Sequence, residues 1–272
     1  MNQRESLRIV IKMMLNKIQE KVIKIVVETG DYIYHLSNRR KHISYKGVVN
    51  LVTQFDNIAQ KRIVDYLRKE FPDYGILSEE NISYDTHKKI KWLIDPLDGT
   101  TNFAHDLPIW AISIGLEVEG EIVLGVVYDP TRKELFSAIK GKGAFLNKKK
   151  ILVSKTKKLG QSLLVTGFPY DIRESKENNL DYFARFCVTA QAVRRLGSAA
   201  LDLCYTACGR FDGYWEIKLS PWDQAAGSLI LKEAGGKITD FKGKPFNIYG
   251  KEVLGTNGYI HNQMMEVLNK KV

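Results

Sequence analysis

From about Ser6 to Thr29, apolar side chains recur at helical spacing: Leu7, Val10, Ile11, Met14, Leu15, Ile18, Val22, Ile25 and Val26. The pattern predicts a long amphipathic helix with Gly30 as its stop. A β-branched stretch, Val48 to Thr53, then runs into Asp56, and a second helix is expected from about Asn57 to Glu70. Ile58, Ile63, Val64 and Leu67 share one side of it, and Phe71-Pro72-Asp73 closes it. Tyr74 to Leu77 reads as a strand leading into Ser78-Glu79-Glu80, and Trp92 to Ile94 as a buried strand that delivers Asp95 and Asp98 to its end. Pro96 between the two aspartates cannot donate to a sheet ladder. Gly99 permits a turn and leaves amides open, and Thr100, Thr101 and Asn102 suit the capping of a helix start.

Further along, the pattern becomes strand after strand. Ala111–Val118, Ile122–Tyr128 and Glu134–Ile139 are joined by short polar connections, and Gly141, Gly143 and Asn147 punctuate another hairpin. This predicts an antiparallel meander packed on the early helices. The lysine-rich stretch Ser154 to Gly160 marks a boundary between two halves of one domain, about 1–155 and 156–272. The second half reads as a strand at Leu163–Thr166, a helix near Lys176–Thr189, a strand at Val193–Leu196 and a helix opened by Gly197-Ser198-Ala199 that runs through Cys208. A strand at Phe211–Ile217 follows, then a helix starting at Pro221-Trp222-Asp223 and stopped by Gly235-Gly236. Strands at Lys237–Thr239 and near Val253, and a last helix from His261, complete the chain. The order of strands and helices fits an α/β layered sandwich.

Composition narrows the class. The 272 residues are enough for a sizeable core, and 44% hydrophobic with 26% charged residues is ordinary for a globular protein. No apolar run reaches the roughly 20 residues of a membrane span, and the first 28 residues mix Arg, Lys and Glu into their apolar positions, unlike a signal peptide. Three cysteines without motif spacing point to a reducing, cytoplasmic setting, with Cys204 and Cys208 as small buried hydrophobes on one helical face. The net charge of +10 admits nucleic acid as a partner. The lysines are scattered, however, and no aromatic interleaving offers a base-stacking platform, so an anionic small molecule is favoured.

Acids that recur where strands end and helices begin carry the chemistry. Carboxylate oxygens hold hard divalent cations such as Mg²⁺, and open amides at a helix start hold phosphate. A site for two cations, roughly 3.5–4 Å apart, needs several carboxylates converging from different segments. Asp95, Asp98, Glu79 and Asp223 supply such a set, with the Leu97 carbonyl between the paired aspartates as a neutral ligand. An isolated Asp-x-x-Asp is more often a capped turn. Its recurrence with Asp56, Glu79 and Glu80 is what raises the chemical reading.

At this point the residues resemble the inositol monophosphatase family of magnesium-dependent, lithium-sensitive phosphatases. Asp95-Pro96-Leu97-Asp98-Gly99-Thr100-Thr101-Asn102-Phe103 is similar to its first signature, and Trp222-Asp223-Gln224-Ala225-Ala226-Gly227 with Glu233-Ala234-Gly235-Gly236 to its second. Leu51-Val52-Thr53 leading to Asp56, Ser78-Glu79-Glu80 and Gly197-Ser198-Ala199 fall between them in the family's order. Two positions depart: Asn50 stands where the family often has Asp, and Lys46 matches a family lysine with the register shifted by one.

The resemblance implies an αβαβα sandwich, a homodimer, and two or three Mg²⁺ per subunit. Glu79, Asp95, the Leu97 carbonyl and Asp98 would hold the metal that generates the nucleophile. Asp95, Asp98 and Asp223 would hold a second, and Glu79 with Glu80 a weaker third. Thr100 with Asp56 would orient the attacking water, and the Gly99 and Thr100 amides would bind phosphate. Asp98, the Gly197-Ser198-Ala199 turn and Glu216 would contact the substrate's alcohol part. No phosphoenzyme is expected. Inositol monophosphate or a related sugar or polyol phosphate is the implied substrate, with fructose 1,6-bisphosphate and 3′-phosphoadenosine phosphates as alternatives. A non-enzymatic role in an RNA or transcription complex is the competing class.

Overall fold

The computed structural model describes residues 3–37, 43–45, 51–80 and 83–270, with side chains from residue 14 onward outside 43–45 and 51–52. Lys46 and Asn50 lie outside the described residues. In chain order the first elements are α1 (Gln3–Leu36), β1 (Ile43–Tyr45), β2 (Leu51–Thr53), α2 (Gln54–Glu70), β3 (Gly75–Ser78), β4 (Ser83–Tyr84), β5 (Ile90–Asp98), α3 (Thr100–Ala104) and β6 (Ala111–Val118). The meander continues with β7 (Glu121–Asp129), β8 (Glu134–Ile139), β9 (Ala144–Leu146) and β10 (Lys149–Ile151). Then come β11 (Leu163–Thr166), α4 (Leu180–Thr189), β12 (Ala192–Arg194), α5 (Ala199–Ala207), β13 (Gly213–Ile217), α6 (Pro221–Glu233), β14 (Lys237–Thr239), β15 (Glu252–Thr256) and α7 (His261–Asn269).

Two main sheets result, an eight-stranded one ordered β10-β9-β8-β7-β6-β5-β3-β4 and a five-stranded one ordered β12-β11-β13-β15-β14. Helices α1 and α2 cover one face of the larger sheet, α5 and α6 fill the space between the sheets, and α4 and α7 cover the far face of the smaller one. The chain is therefore a layered αβαβα sandwich. Much of its middle layer is an apolar core, in which Phe136 and Val127 of the large sheet and Val165 and Tyr214 of the small one close on Leu203 and Ile230. The expected meander packs on the early helices as foreseen, and α6 occupies its other face.

Close backbone approach explains where two helices sit. Gly115 and Gly125 face each other across β6 and β7. A Cβ on Gly115 would stand 2.8 Å from Ala225 Cβ, and one on Gly125 would stand 2.7 Å from the Ala226 carbonyl oxygen. The glycine pair therefore lets α6 settle directly onto the sheet. Gly30 does not stop α1, which runs on to Leu36. A Cβ there would meet the Tyr128 ring at 2.7 Å, so Gly30 serves helix–sheet contact rather than termination.

The second helix also begins earlier than expected. Thr53 caps α2, and Asp56 accepts hydrogen bonds from the Thr53 amide at 2.7 Å and the Thr53 hydroxyl at 2.5 Å. Asp56 is thus a first-turn residue of a helix, not a strand-end acid. In the second half, α4 starts at Leu180 and not near Lys176, and β12 ends at Arg194 and not Leu196.

Candidate active site

Strand register brings the first acids together. β3 and β5 run parallel, and their last pair is Ser78 with Ile94. The next residue on each is Glu79 and Asp95, so the two emerge side by side. Pro96 does not end β5, but it breaks its regularity. Asp95 pairs with Ser113 and Asp98 with Ala111, three steps against two, a bulge that re-aims both aspartates. The Leu97 amide turns back to donate to Asp95 Oδ1 at 3.0 Å.

After the bulge, Gly99 takes φ +95°, and a Cβ there would lie 2.9 Å from the Ile109 carbonyl oxygen. α3 is only five residues long and has no side-chain cap. The expected capping by Thr100, Thr101 and Asn102 is replaced by longer-range bonds. Thr100 Oγ1 donates between Asp56 Oδ1 at 2.9 Å and the Leu97 carbonyl at 3.0 Å. Asn102 Nδ2 donates to the Leu196 carbonyl at 2.7 Å and the Ile109 carbonyl at 2.9 Å, which fastens the turn preceding α5. A helix this short contributes its local amides to the site and little macrodipole.

The second half supplies the opposite wall. Ser198 caps α5, and its hydroxyl donates to Asp98 Oδ2 at 2.5 Å beside the Ala200 amide at 2.8 Å. Asp223 stands in the first turn of α6, where its Oδ2 accepts from the Ser220 amide at 2.7 Å. The Ser113 hydroxyl reaches the Trp222 carbonyl, tying that helix start to the strand that pairs with Asp95.

These elements enclose a cavity of about 380 Å³. Glu79, Asp95, Leu97, Asp98, Gly99, Thr100, Gly197, Ser198, Ala199, Glu216 and Asp223 all line it. Asp56 sits behind the wall and touches the cavity through Thr100. Glu80 is not among the lining residues. Its amide donates to Gln60 Oε1 and its carbonyl accepts from Gln60 Nε2, each at 2.9 Å, which places it behind Glu79 on the α2 side. The lining also includes Asp202, Arg195 and the loop Gly167-Phe168-Pro169-Tyr170. These are absent from the expected set. Asp202 did carry a signal, as an acid inside the otherwise apolar run Ala199 to Cys204.

The acids disturb one another. Burial, with repulsion from Glu79, Asp98 and Asp223, holds the Asp95 carboxyl well above the usual carboxylate range. Burial, with repulsion from Glu79, Asp98 and Glu216, raises Asp223. Burial pushes Asp98 up to about 6 against the pull of its Ser198 and Ala200 bonds. Asp56 rises to about 6 and Glu216 to about 7, both chiefly through burial. Among the described residues, no three His, Cys, Asp or Glu side chains are closed around a common point. The acids line the cavity as separate, mutually repelling groups. An all-oxygen donor set of four carboxylates and one backbone carbonyl fits a hard divalent cation, which would offset that repulsion.

The sequence profile of the Inositol monophosphatase family matches residues 14–272. An inositol-1-monophosphatase of Synechocystis sp. is 43% identical over 245 residues, which is 89% of this chain and 85% of that protein. The Nus factor SuhB of Escherichia coli is 43% identical over 201 residues, covering 74% of this chain and 75% of its own length. A solved inositol monophosphatase structure from Anabaena superimposes with a TM-score of 0.86 at 40% identity, covering 93% of this chain and 96% of that one. With its fold, its ordered motifs and its matched length in agreement, the chain belongs to the inositol monophosphatase family.

Proposed function

We propose that the protein hydrolyses the phosphate monoester of inositol or a related polyol, using Mg²⁺ held by Glu79, Asp95, the Leu97 carbonyl, Asp98 and Asp223. The observation that carries this reading is the convergence of those groups on one cavity beside the open turn at Gly99. When bound, the metal lowers the pKa of a water near neutral pH and offsets charge on the departing oxygen. Two metals fit this donor set, with Glu80 as support for a third through Glu79.

The chain's own residues then have defined work. Gly99 and Thr100 present amides to the phosphate oxygens at the turn. Thr100 has its hydroxyl proton directed to Asp56 and Leu97, so its oxygen is left as an acceptor that orients the attacking water. Asp56, at about 6, is ionised at neutral pH and keeps that orientation. Glu216 receives a hydroxyl of the alcohol part, and the Gly197-Ser198-Ala199 turn bounds it. Tyr214 Oη donates to Glu216 Oε2 at 2.7 Å and fixes that carboxylate from behind. Direct attack by water, with no phosphoenzyme, belongs to this reading, and trapping a covalent phosphoenzyme during turnover would overturn it.

A panel of phosphate monoesters, assayed for phosphate release with Mg²⁺ and with chelator, tests the proposal. Turnover of inositol 1-phosphate that is abolished by chelator is expected. Absence of turnover across the panel would overturn it. The similarity to a protein named as a Nus factor favours a second reading, assembly with transcription machinery. A cellular phenotype that survives Asp95→Asn would support that role.

A further inference from the structure

The loop 167–179, between β11 and α4, puts Phe168, Pro169 and Tyr170 on the cavity lining, yet it supplies none of the acids. Its two ends are pinned together. Asn179, 3% exposed, donates from Nδ2 to the Gly167 carbonyl at 2.6 Å and to Thr166 Oγ1 at 2.9 Å, and its Oδ1 accepts from Trp215 Nε1 at 2.8 Å. The middle is a small turn of its own, in which the Glu174 and Ser175 amides donate to the Asp171 carbonyl at 3.0 and 2.9 Å. Lys218 grips both ends of that turn: its ammonium donates to Asp171 Oδ2 and to Ser175 Oγ, each at 2.7 Å. Lys218 follows β13 at φ +59°, a left-handed conformation that costs a residue with a Cβ more than it costs glycine. Among the described non-glycine residues with positive φ, it is the one that lines the cavity. Its amide donates to the Lys251 carbonyl at 2.7 Å, so the ammonium reaches out from a fixed base. Next to the gripped turn, Tyr170 stands at the cavity rim, 57% exposed. Partial burial, then the charges of Glu79, Asp223, Asp95 and Asp98, hold its hydroxyl above the usual tyrosine range, so it meets the acids as a neutral donor.

We propose that Lys218 is a positioning residue, which clasps the Asp171–Ser175 turn and so holds Tyr170 over the end of the cavity where the acids meet. This rests on the phosphatase reading above for what the cavity receives, and on the loop alone for the clasp. With the clasp closed, Tyr170 narrows the way out, and a bound ester leaves less readily. With it open, the acids keep their places, so the chemical step proceeds while the substrate is held more weakly. Loops that cover a site open at low cost unless they are tied down, and this tie comes from one side chain on a backbone strained to present it.

The test uses the full chain with Mg²⁺ and inositol 1-phosphate. Lys218→Met keeps the stem and the strained backbone and removes the ammonium. It should raise KM about fivefold with kcat changed less than about twofold, the scale of one partly exposed ion pair. Lys218→Gly should raise KM as much, yet melt several degrees above Lys218→Met because the backbone strain is relieved. Asp171→Ala frees the ammonium and should also raise KM, and its combination with Lys218→Met should be no worse than either change alone. A fall in KM in Asp171→Ala would make Lys218 a direct ligand of the substrate, and additive losses in the double variant would make the two residues independent; either overturns the clasp. Hydrogen exchange reads the clasp without turnover: amides of 171–176 should exchange about tenfold faster in Lys218→Met than in wild type, with those of α5 unchanged. Equal exchange would overturn the clasp while the phosphatase reading stands. A wild type inactive on the ester, with the exchange difference present, would defeat that reading and support the clasp.

Discussion

Two sets of buried aspartates in this molecule are treated in opposite ways. Away from the cavity, Asp129 accepts from the Thr131 amide and hydroxyl, the Arg132 amide and the Arg132 guanidinium, all within 3.1 Å. Asp212 accepts from the Ser154 hydroxyl at 2.5 Å and the Leu163 amide at 2.7 Å. These acids are satisfied and hold strands and turns in place. In the cavity, Asp95 has one backbone donor and three carboxylate neighbours, and Asp202 has no donor at all. The first set shows what this fold does with an acid it needs for structure. Asp95 and Asp202 are left short of donors where Asp98 is not, and beside Asp95 that shortage is where a cation would be received.

Substitutions sharpen the contrast. Asp95→Asn should lower phosphate release by about a thousandfold or more, because a ligand shared by both proposed metals is weakened, with circular dichroism unchanged. Thr100→Val should cost about a hundredfold in kcat, in the range of a lost proton-orienting group, with little change in KM. Asp129→Ala belongs to the structural set. It should leave kcat near wild type and destabilise by about 2–3 kcal/mol, the scale of a broken buried charge and its hydrogen bonds, read as a fall of several degrees in Tm.

A smaller effect separates the sets by pH. Asp56 and Asp98, at about 6, and Glu216, at about 7, lie above the roughly 4 of an exposed carboxyl. The folded state then binds more protons than the unfolded one between these values. With metal withheld, that contribution to stability is full below about pH 4 and lost as pH rises through 6 to 7. His261, bonded to Thr239 and Thr256 and lowered to about 4 by burial, acts in the other direction, its contribution fading as pH falls from 6.5. Thermal melts in chelator from pH 5 to 7.5 should show the acid-site slope in the wild type and a flatter one in Asp98→Asn.

Local patterns in the sequence were sufficient for much of this. β6, β8 and β11 are found at the residues their apolar runs predict, because each is bounded by turn residues and buried along most of its length. The acids of the two signatures were also legible, since a bulge around Pro96 and a helix start at Pro221 are local events. What escaped depends on distant partners. Gly30 reads as a helix stop until Tyr128 is packed against it. Asp56 reads as a strand end until the Thr53 cap is seen. The meeting of Asp223 with Asp95 depends on α6 lying on the Gly115–Gly125 pair, a contact between segments more than 90 residues apart. Asp202 stands out in the sequence only as an acid in an apolar run, and that its surroundings hold no donor among the described residues shows only in the fold.

The most direct measurement is the thermal stability of metal-free wild type and Asp95→Asn at pH 7.5, each titrated with Mg²⁺. The expected result is a metal-free Tm for Asp95→Asn at or above that of the wild type, and a Mg²⁺-dependent rise in the wild type that the variant largely loses. A variant that melts well below the wild type without metal, as Asp129→Ala should, or that keeps the full Mg²⁺ response, would contradict a cavity of repelling acids built for a cation.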